Sequence, residues 1–350
     1  GSPANLAAYL AVLNPGDKLM GLDLAHGGHL THGSKVSASA IFFKSVAYKL
    51  DSNGQMDYEE IERIALEEKP KLIVAGITAY PLQLDWSKFA KIADKVGAYL
   101  LADISHLAGL VVGGAYPSPT PYAHLITTTT HKTLRGPRGA LVMVTDKGLR
   151  KNPELAKKVD QAVFPRLQGG PHINAIAGIA VALKEAQTPH FQKYAAQVIK
   201  NSQILAQSLL KYDFQLIAGG SDTHLILIDL TNKKILGNTA AEALEAANIV
   251  LNRNSVPNDS SSPFYPSGLR MGTPGITTRG MGTKEMELIA RYINDVINDV
   301  AKIKLELQLT LADEKKAPIR EKIIGKSLVV KKVAQEVRAL CEKFPIQVQN

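Results

Sequence analysis

Between residues 50 and 145 the sequence alternates short runs rich in apolar and β-branched residues with segments of helical periodicity. Strands that alternate with covering helices form a mainly parallel sheet, so we predict an α/β fold. The pattern predicts helices over 58–68 behind Asp57 and over 86–96 behind Asp85, since an aspartate is a good helix N-cap.

Four short apolar strands are predicted in the same region, as expected of strands buried on both faces. They cover residues 71–76, 99–104, 125–130 and 140–145. The pattern then changes to helices over 176–187 and 191–210, a strand over 224–229, a helix over 240–248, a loop over 252–267, and helices over 284–300 and 327–344. Because a single core seldom keeps growing at 350 residues, we predict a large domain over 1–188 and a smaller α+β domain over 189–350.

The composition favours a cytoplasmic protein. A lone cysteine, Cys341, excludes a disulfide framework and a cysteine metal cluster, and it indicates a reducing compartment. No apolar run reaches the roughly 18 residues that a membrane helix needs. The formal net charge of +9 comes from scattered basic residues without interleaved aromatics. We therefore expect neither a membrane nor a nucleic-acid partner.

The most specific segment is residues 127–139, Thr-Thr-Thr-Thr-His-Lys-Thr-Leu-Arg-Gly-Pro-Arg-Gly, where a buried strand runs into a turn. Ligands of open α/β sheets bind at the carboxyl ends of the strands. Lys132 lies at such an end, beside Arg135 and Arg138, and neighbouring positive charge and burial both depress the pKa of a lysine. An amine that forms imines needs that property. The alternative is a surface lysine after a threonine-rich strand.

A second strand ends with Asp103, and His106 follows three residues later. A carboxylate at the end of an apolar strand costs several kcal/mol unless a cation or a donor partners it. The protonated ring nitrogen of pyridoxal phosphate (PLP) is such a partner, and a nearby histidine can bond the phenolic oxygen of the ring. Taken singly, Asp103 could cap a helix and His106 could be a core histidine.

Three histidines occur within residues 26–33, His-Gly-Gly-His-Leu-Thr-His-Gly. Zinc is the obvious alternative ligand. No cysteine accompanies the histidines, the two glycines disfavour a regular helix, and an imidazole can also cover a cofactor ring, so we expect no metal site. Residues 51–54 are expected to form a turn, since their glycine is misplaced for a calcium loop.

Two further segments suit anions. Gln168-Gly169-Gly170-Pro171 precedes a predicted helix and exposes backbone amides that could bind a phosphate, although it could also be only a turn. Arg270 lies in a glycine-rich stretch, and its fork of donors matches a carboxylate. A structural salt bridge is the alternative for Arg270.

Taken in order, the His-Gly-Gly-His-Leu-Thr-His-Gly, Thr-Thr-Thr-Thr-His-Lys, Gln-Gly-Gly-Pro and Gly-Leu-Arg-Met-Gly-Thr-Pro runs resemble the serine hydroxymethyltransferase family, and the resemblance extends to about Phe344. It implies the aspartate-aminotransferase-like fold (fold type I). It also implies the reversible conversion of L-serine and tetrahydrofolate to glycine and methylenetetrahydrofolate with PLP as cofactor. The implied assembly is a homodimer, with a tetramer left open.

The resemblance implies roles for single residues. Lys132 would carry PLP as an aldimine, Asp103 would pair with the ring nitrogen, and His29 would stack on the ring. The other implied cofactor or catalytic residues are Gly1, Ser2, Thr78, His106, Thr129, His131, Gly169 and Gly170, the last two reaching the neighbouring subunit. The implied substrate contacts are Arg270 for the amino-acid carboxylate, Asn254, Leu24, Gly28 and Leu30 for folate, and Arg138.

The sequence departs from the family pattern in several places. It begins inside the family's phosphate loop, as Gly-Ser-Pro-Ala-Asn, so we expect it to lack the family's N-terminal segment. Thr78 replaces a serine, Leu82 an arginine and Arg166 a glycine. The alternatives are a PLP aldolase that acts on β-hydroxy amino acids without folate, and a truncated subunit that is inactive alone.

Overall fold

The computed structural model describes residues 1–346. The chain divides into two compact units. The first unit contains residues 1–78 and 83–196, and the second contains residues 79–82 and those from 197 onward. The domain boundary that we expect near residue 188 stays a prediction. Among the described residues, no helix combines the length and the apolar character needed to cross a membrane.

The first unit is built on one six-stranded sheet. Its strands are β1 (Lys18–Leu22), β2 (Lys44–Tyr48), β3 (Leu72–Gly76), β4 (Tyr99–Asp103), β5 (Leu125–Thr129) and β6 (Ala140–Val144). They lie in the order β2-β1-β3-β4-β5-β6. Strands β1 to β5 are parallel, and β6 is antiparallel to β5. This mixed, mainly parallel sheet confirms the predicted α/β fold class.

The sequence predicts β3 to β6 to within one residue of their observed ends. The expectation that all four are buried on both faces is wrong for β6, whose residues are mostly half-exposed because it pairs only with β5 at one edge of the sheet. Strands β1 and β2 are not predicted. Strand β2 lies at the opposite edge and reads Lys-Ser-Val-Ala-Tyr, so it lacks the apolar run of a buried strand.

Helices cover the sheet and connect its strands. They are α1 (Ser2–Val12), α2 (Ala38–Phe42), α3 (Tyr58–Glu68), α4 (Trp86–Lys95), α5 (Ala108–Val112), α6 (Asp146–Lys151), α7 (Leu155–Gln161) and α8 (Ile173–Ala186), and α9 (Pro189–Lys211) contributes to both units. Both predicted N-caps are confirmed, since Asp57 accepts from the amides of Glu59 and Glu60 and Asp85 accepts from that of Lys88. The turn predicted over residues 51–54 is also present.

The strand order creates a crevice. From β1 the chain moves outward to β2 and then returns to form β3 on the other side of β1. Connections that leave two adjacent strands in opposite directions open a crevice at the carboxyl ends of those strands, where open α/β sheets bind ligands. The sheet beneath is well packed, because Leu72, Val74, Leu101 and Leu125 are fully buried and belong to one apolar cluster with residues of α1.

The second unit is a smaller α+β structure. Its strands β7 (Gln215–Leu216), β8 (Leu225–Asp229), β9 (Asn252–Asn254) and β10 (Gly268–Gly272) form an antiparallel sheet in the order β7-β8-β10-β9. Its helices after α9 are α10 (Gly237–Ala246), α11 (Pro274–Thr278), α12 (Thr283–Glu306), α13 (Ala317–Lys326) and α14 (Leu328–Lys343). The loop predicted over 252–267 is partly wrong, because its first three residues form β9. Strands β7 and β10 and helices α11 and α13 are not predicted.

Candidate active site

A cavity of about 310 Å³ lies at the carboxyl ends of the parallel strands of the first unit. It brings together residues from the start of α1 and from the segments that follow β1, β3, β4 and β5. Its lining consists of Gly1, Ser2, Asn5, His29, Ile77, Thr78, Asp103, Ser105, His106, Thr129, His131, Lys132 and Arg138. Ten of the residues expected at the site therefore converge on one cavity, because parallel strands all end at the same edge of the sheet.

Asp103, the last residue of β4, is only 6% exposed. Its Oδ2 accepts from Asn5 Nδ2 at 2.9 Å and from His32 Nε2 at 3.0 Å, and its Oδ1 accepts from the amide of Ser105 at 3.0 Å. Burial alone would raise the pKa of Asp103, but the donors, His32 foremost, outweigh burial and hold the pKa well below its usual range. Asp103 is therefore an ionised carboxylate at neutral pH.

The carboxylate of Asp103 sits against the neighbouring strand. Gly76 of β3 is its register partner, and a Cβ at Gly76 would lie 2.8 Å from the Cβ of Asp103. Any larger residue at position 76 would push the carboxylate out of place. Gly76 therefore leaves the space that the side chain of Asp103 occupies.

His29 precedes a short 3-10 turn over residues 30–32. Its Nδ1 accepts from the amide of Thr31 at 3.2 Å, so in the neutral ring the proton resides on Nε2. Burial, followed by the neighbouring His32 and Lys132, lowers the pKa of His29 to about 4. The imidazole is consequently uncharged at neutral pH.

Lys132 is half-buried in the turn that follows β5. Backbone bonds hold this turn, including one from the amide of Gly136 to the carbonyl of Thr130 and one from the amide of Arg135 to the carbonyl of Lys132. The depressed pKa expected for Lys132 stays a prediction. Of the two arginines nearby in sequence, Arg138 lines the cavity, whereas the guanidinium carbon of Arg135 lies 4.2 Å from the ring centroid of Tyr194.

The start of α1 suits an anion. Gly1 caps this 11-residue helix, and Gly1 and Ser2 both line the cavity. The first amides of a helix have no partner within the helix and point outward, so they bind phosphate groups well. In addition, the Nδ1 atom of His131 is buried and has no hydrogen-bond partner within residues 1–346. Both features leave donors or acceptors for a ligand.

Five expected site residues of the first unit do not line this cavity. Gly169 and Gly170 are exposed in the turn before α8, with open space where a Cβ would be. Leu24 and Leu30 are each 44% exposed, and Gly28 is buried against the carbonyl of Leu22. The folate walls implied by the resemblance therefore lie outside the cavity that holds Lys132.

Two departures from the family pattern also have defined places. Arg166 donates from Nη1 to the carbonyl oxygen of Leu10 at 3.1 Å, which ties the segment before the Gly169-Gly170 turn to α1. Leu82 is half-buried in the short segment 79–82 that belongs to the second unit.

Arg270 and Asn254 belong to the second unit. Arg270 lies on β10, where its Nε donates to the side-chain oxygen of Asn252 at 3.1 Å, and burial lowers the pKa of its guanidinium. Asn254 lies on the neighbouring strand β9, paired in register with Gly268. Both residues are thus carried by adjacent strands of one sheet, which fixes their spacing.

Sequence reasoning missed the residues that hold Asp103. His32 could have been noticed as the third histidine of its run, but no role was predicted for it. Asn5 and Ser105 carried no signal, because a single polar residue in a helix or after a strand is common. Among the described residues, no group of three histidine, cysteine, aspartate or glutamate side chains could hold a metal ion.

Comparison with known proteins decides the family. The family model described as serine hydroxymethyltransferase matches residues 1–293. The chain belongs to the serine hydroxymethyltransferase family. A serine hydroxymethyltransferase of Desulfotalea psychrophila is 52% identical over 345 residues, which cover 99% of this chain and 74% of that protein. Serine hydroxymethyltransferases of two Legionella pneumophila strains, Corby and Lens, are each 52% identical over 301 residues, covering 86% of this chain and 71% of each relative.

Serine hydroxymethyltransferases are PLP enzymes of fold type I that use tetrahydrofolate as co-substrate, and the cavity fits PLP. The donor set comprises an amine for the aldehyde, an ionised buried carboxylate for the ring nitrogen, an uncharged imidazole for the ring face and a helix N-terminus for the phosphate. The buried Nδ1 of His131 adds an atom that has no partner of its own among the described residues.

Proposed function

We propose that this chain converts L-serine and tetrahydrofolate reversibly to glycine and methylenetetrahydrofolate, with Lys132 as the lysine that binds PLP covalently. The observation that carries the proposal is the convergence of Lys132, Asp103 and His29 on one cavity of the first unit. Bound PLP supplies an electron sink for cleavage of the bond between the α- and β-carbons of serine.

Asp103 is proposed to hold a proton on the ring nitrogen of the cofactor. Its partners include the side-chain amide of Asn5, the backbone amide of Ser105 and the Nε2 of His32. A buried, ionised carboxylate favours a protonated partner, because burial strengthens electrostatic attraction.

The remaining cavity residues are proposed to orient the cofactor. His29 presents an uncharged ring face, and Gly1, Ser2 and His131 bind the phosphate. Thr78 and His106 lie near the phenolic oxygen. Thr129 anchors the segment after β4, since its amide donates to Ser105 Oγ and its hydroxyl donates to Ser105 O, each at 3.2 Å.

Arg270 is proposed to bind the carboxylate of the amino acid. Because Asn252 accepts from Nε, the guanidinium is held in one orientation, and a fixed fork recognises a carboxylate with two parallel bonds. Arg138 is proposed as a further substrate contact. Asn254, Leu24, Gly28 and Leu30 are proposed as folate contacts, and half-exposed leucines suit the flat face of a pterin ring.

The protein is also proposed to act in the cytoplasm as a homodimer in which Gly169 and Gly170 contact the cofactor of the partner subunit. Support comes from the exposed apolar surface beside this turn, where Phe164 is 64% and Ile173 is 66% exposed. Apolar patches of this kind mark association sites, and most homo-oligomers are symmetric. A mass measurement in solution decides between a dimer and a tetramer. The single cysteine supports a reducing compartment.

Borohydride trapping tests the assignment of Lys132. The protein is incubated with PLP, reduced and digested, and the peptides are analysed by mass spectrometry. We expect the cofactor on the peptide containing Lys132, in the natural sequence and in the control Lys157→Ala, which changes an exposed lysine. The Lys132→Ala variant should carry no such adduct, and an adduct on another lysine in all three proteins contradicts the assignment.

Turnover assays test the reaction. Glycine formation from serine should require tetrahydrofolate, and Lys132→Ala should lower it by about 10³-fold or more. Equal rates of serine or threonine cleavage with and without tetrahydrofolate would instead establish an aldolase. A protein that binds PLP on Lys132 but converts no serine under any of these conditions would be an inactive subunit.

A further inference from the structure

We propose that Asn5 and Thr31 are positioning residues that lock the imidazole of His29 and the carboxylate of Asp103 into one hydrogen-bonded ring. This inference rests on the proposed function, because it concerns how two proposed PLP contacts are held relative to each other. Neither Asn5 nor Thr31 was a candidate in the sequence analysis.

The ring starts at Asp103 and returns to it through five bonds. Asn5 Nδ2 donates to Asp103 Oδ2 and to Thr31 Oγ1, each at 2.9 Å. Thr31 Oγ1 lies 2.7 Å from His29 Nδ1. The amide of His29 donates to His32 Nδ1 at 3.3 Å, and His32 Nε2 lies 3.0 Å from Asp103 Oδ2.

The backbone amides of Thr31 and His29 indicate one consistent direction for the bonds of the ring. His29 Nδ1 accepts from the amide of Thr31, so it carries no proton and the hydroxyl of Thr31 donates to it. The same hydroxyl oxygen accepts from Asn5. His32 Nδ1 accepts from a backbone amide, so its proton is on Nε2 and is donated to Asp103. All members of the ring can therefore be satisfied at once.

A further bond outside the ring fixes the amide of Asn5. Thr127 Oγ1 of β5 donates to Asn5 Oδ1 at 2.6 Å. The carbonyl side of the amide is thereby assigned to Thr127, and both Nδ2 hydrogens face Asp103 and Thr31. An inverted amide would turn its oxygen toward the carboxylate of Asp103 and place two acceptors against each other, so Asn5 has one orientation.

The ring joins elements that are far apart in sequence. Asn5 comes from α1, Asp103 from β4, and Thr31 from the turn after β1. Asn5, Thr31, His32 and Asp103 are all buried. Because buried polar groups pay a large penalty when a bond is lost, movement of either His29 or Asp103 alone is costly. The hydrogen-bonded ring therefore holds His29 and Asp103 in one geometry relative to each other. A small displacement of either side chain should lower the affinity for PLP and the rate of the reaction.

Thr31→Val tests the inference, because it removes the hydroxyl with little change in shape. The matched control is Thr130→Val, which removes a buried hydroxyl that donates to the carbonyl of Pro137 outside the ring. Thr31→Ser keeps the hydroxyl and should therefore bind PLP as the natural sequence does. The dissociation constant for PLP is measured by fluorescence titration of the cofactor-free proteins, and the urea midpoint shows whether each protein is folded.

We expect Thr31→Val to raise the PLP dissociation constant by about 3- to 10-fold, while Thr31→Ser and Thr130→Val stay within about twofold. Equal dissociation constants for Thr31→Val and Thr130→Val, or no rescue by serine, would overturn the inference. A second readout does not depend on the cofactor. In proteins with ¹⁵N-labelled histidine, Asn5→Ala should shift the Nδ1 signal of His29 through Thr31, and an unchanged signal counts against the ring.

Two further variants separate this inference from the proposed function. His29→Ala and Asp103→Asn alter the proposed PLP contacts themselves. If both raise the dissociation constant and Thr31→Val does not, the roles of His29 and Asp103 stand and the ring fails. If neither variant changes PLP binding, the proposed roles fail. Should Thr31→Val not fold, Asn5→Ala is titrated with PLP in its place, with the same expected direction.

Discussion

Asp103 in the first unit and Glu314 in the second are both carboxylates shielded from solvent, with exposures of 6% and 0%. Their partners differ. Lys304 Nζ lies 2.5 Å from Glu314 Oε1, and Glu314 Oε2 accepts from the amide of Leu236 at 3.1 Å and from the hydroxyl of Thr239. A lysine thus pairs with Glu314, whereas Asn5, His32 and a backbone amide hold Asp103.

The two carboxylates also differ in their surroundings, since one lies in a closed cluster and the other lines a cavity. Lys304 also donates to the carbonyl of Lys234 at 2.6 Å, and Arg320 donates to the carbonyl of Glu314 at 2.8 Å, so this cluster is closed on itself. Asp103 lines a cavity at the end of a strand. The comparison shows how a buried carboxylate that serves structure differs from one that is available to a ligand: the first is paired with a lysine inside a closed cluster, and the second lines a cavity.

The largest effect is expected from breaking the closed pair. Lys304→Met leaves the charge of Glu314 buried without a cation, which should lower the free energy of unfolding by about 3–5 kcal/mol. Urea denaturation measures it. Adding Glu314→Gln should restore most of the loss, because a neutral amide needs no cation. If the free energy of unfolding of Lys304→Met fell by less than about 1 kcal/mol, the pair would contribute little to stability.

The next effect concerns activity rather than stability. Asp103→Asn should lower serine turnover by about 10²–10³-fold, because it removes the charge that favours a protonated ring nitrogen. Glu314→Gln is the matched control: it should destabilise the fold by leaving Lys304 unpaired, yet the protein that remains folded should turn over serine at nearly the natural rate. Similar turnover in the two variants would abolish the distinction between the two carboxylates.

Lowering the pH should weaken the first unit through its histidines. Burial is the main reason that the pKa values of His29 and His124 fall from 6.5 to about 4. In that range the unfolded chain binds protons that the folded chain does not, so stability falls as the pH falls from about 6.5 to 4. Asp103 affects stability only at lower pH. Because its pKa is depressed in the folded protein, its contribution to the free energy of unfolding is lost only below the pKa that it has in the unfolded chain.

Denaturation curves between pH 7 and pH 4 check this expectation. The variant His124→Asn should show a smaller decrease than the natural sequence, because one of the two titrating groups is gone, while His29 is retained. NMR titration of the remaining histidine signals gives their pKa values directly. A free energy of unfolding that stays constant across this range would contradict the neutral state of the buried histidines.

The smallest effect is expected at an exposed ion pair. Lys18 and Glu68 form a 2.7 Å pair with side chains 40% and 38% exposed. Lys18→Met should change the free energy of unfolding by less than about 1 kcal/mol, because solvent screens the pair and long side chains lose entropy in forming it. A change as large as that in Lys304→Met would show that burial is not what separates the two pairs.

Much of the first unit could be predicted from local patterns. Strands β3, β4 and β5 are buried and nearly continuous in apolar residues, and helices α3 and α4 begin behind capping aspartates. These signals lie within a few consecutive residues. Strands β1, β2, β9 and β10 were missed because they are short and either polar or rich in glycine, so that pairing with neighbouring strands forms them rather than their own propensity.

The candidate site also contains residues that local sequence patterns indicate and residues that they do not. Lys132, Asp103, His29 and Arg270 stand out in sequence because a reactive side chain at a strand end or in a glycine-rich turn is unusual. The residues that hold them do not stand out. Asn5 and Thr31 are ordinary polar residues whose role appears only when α1 and the turn after β1 are packed together.

The sequence by itself determined the fold class and the family and predicted the candidate site residues, because the signals for all three lie in contiguous segments. Only the tertiary structure decided the partners of those side chains. Asn5 and Asp103 are 98 residues apart, and Thr127 and Asn5 are 122 apart, so no local pattern links them. Packing of α1 on the sheet brings them together, and burial then requires each polar atom to find a partner.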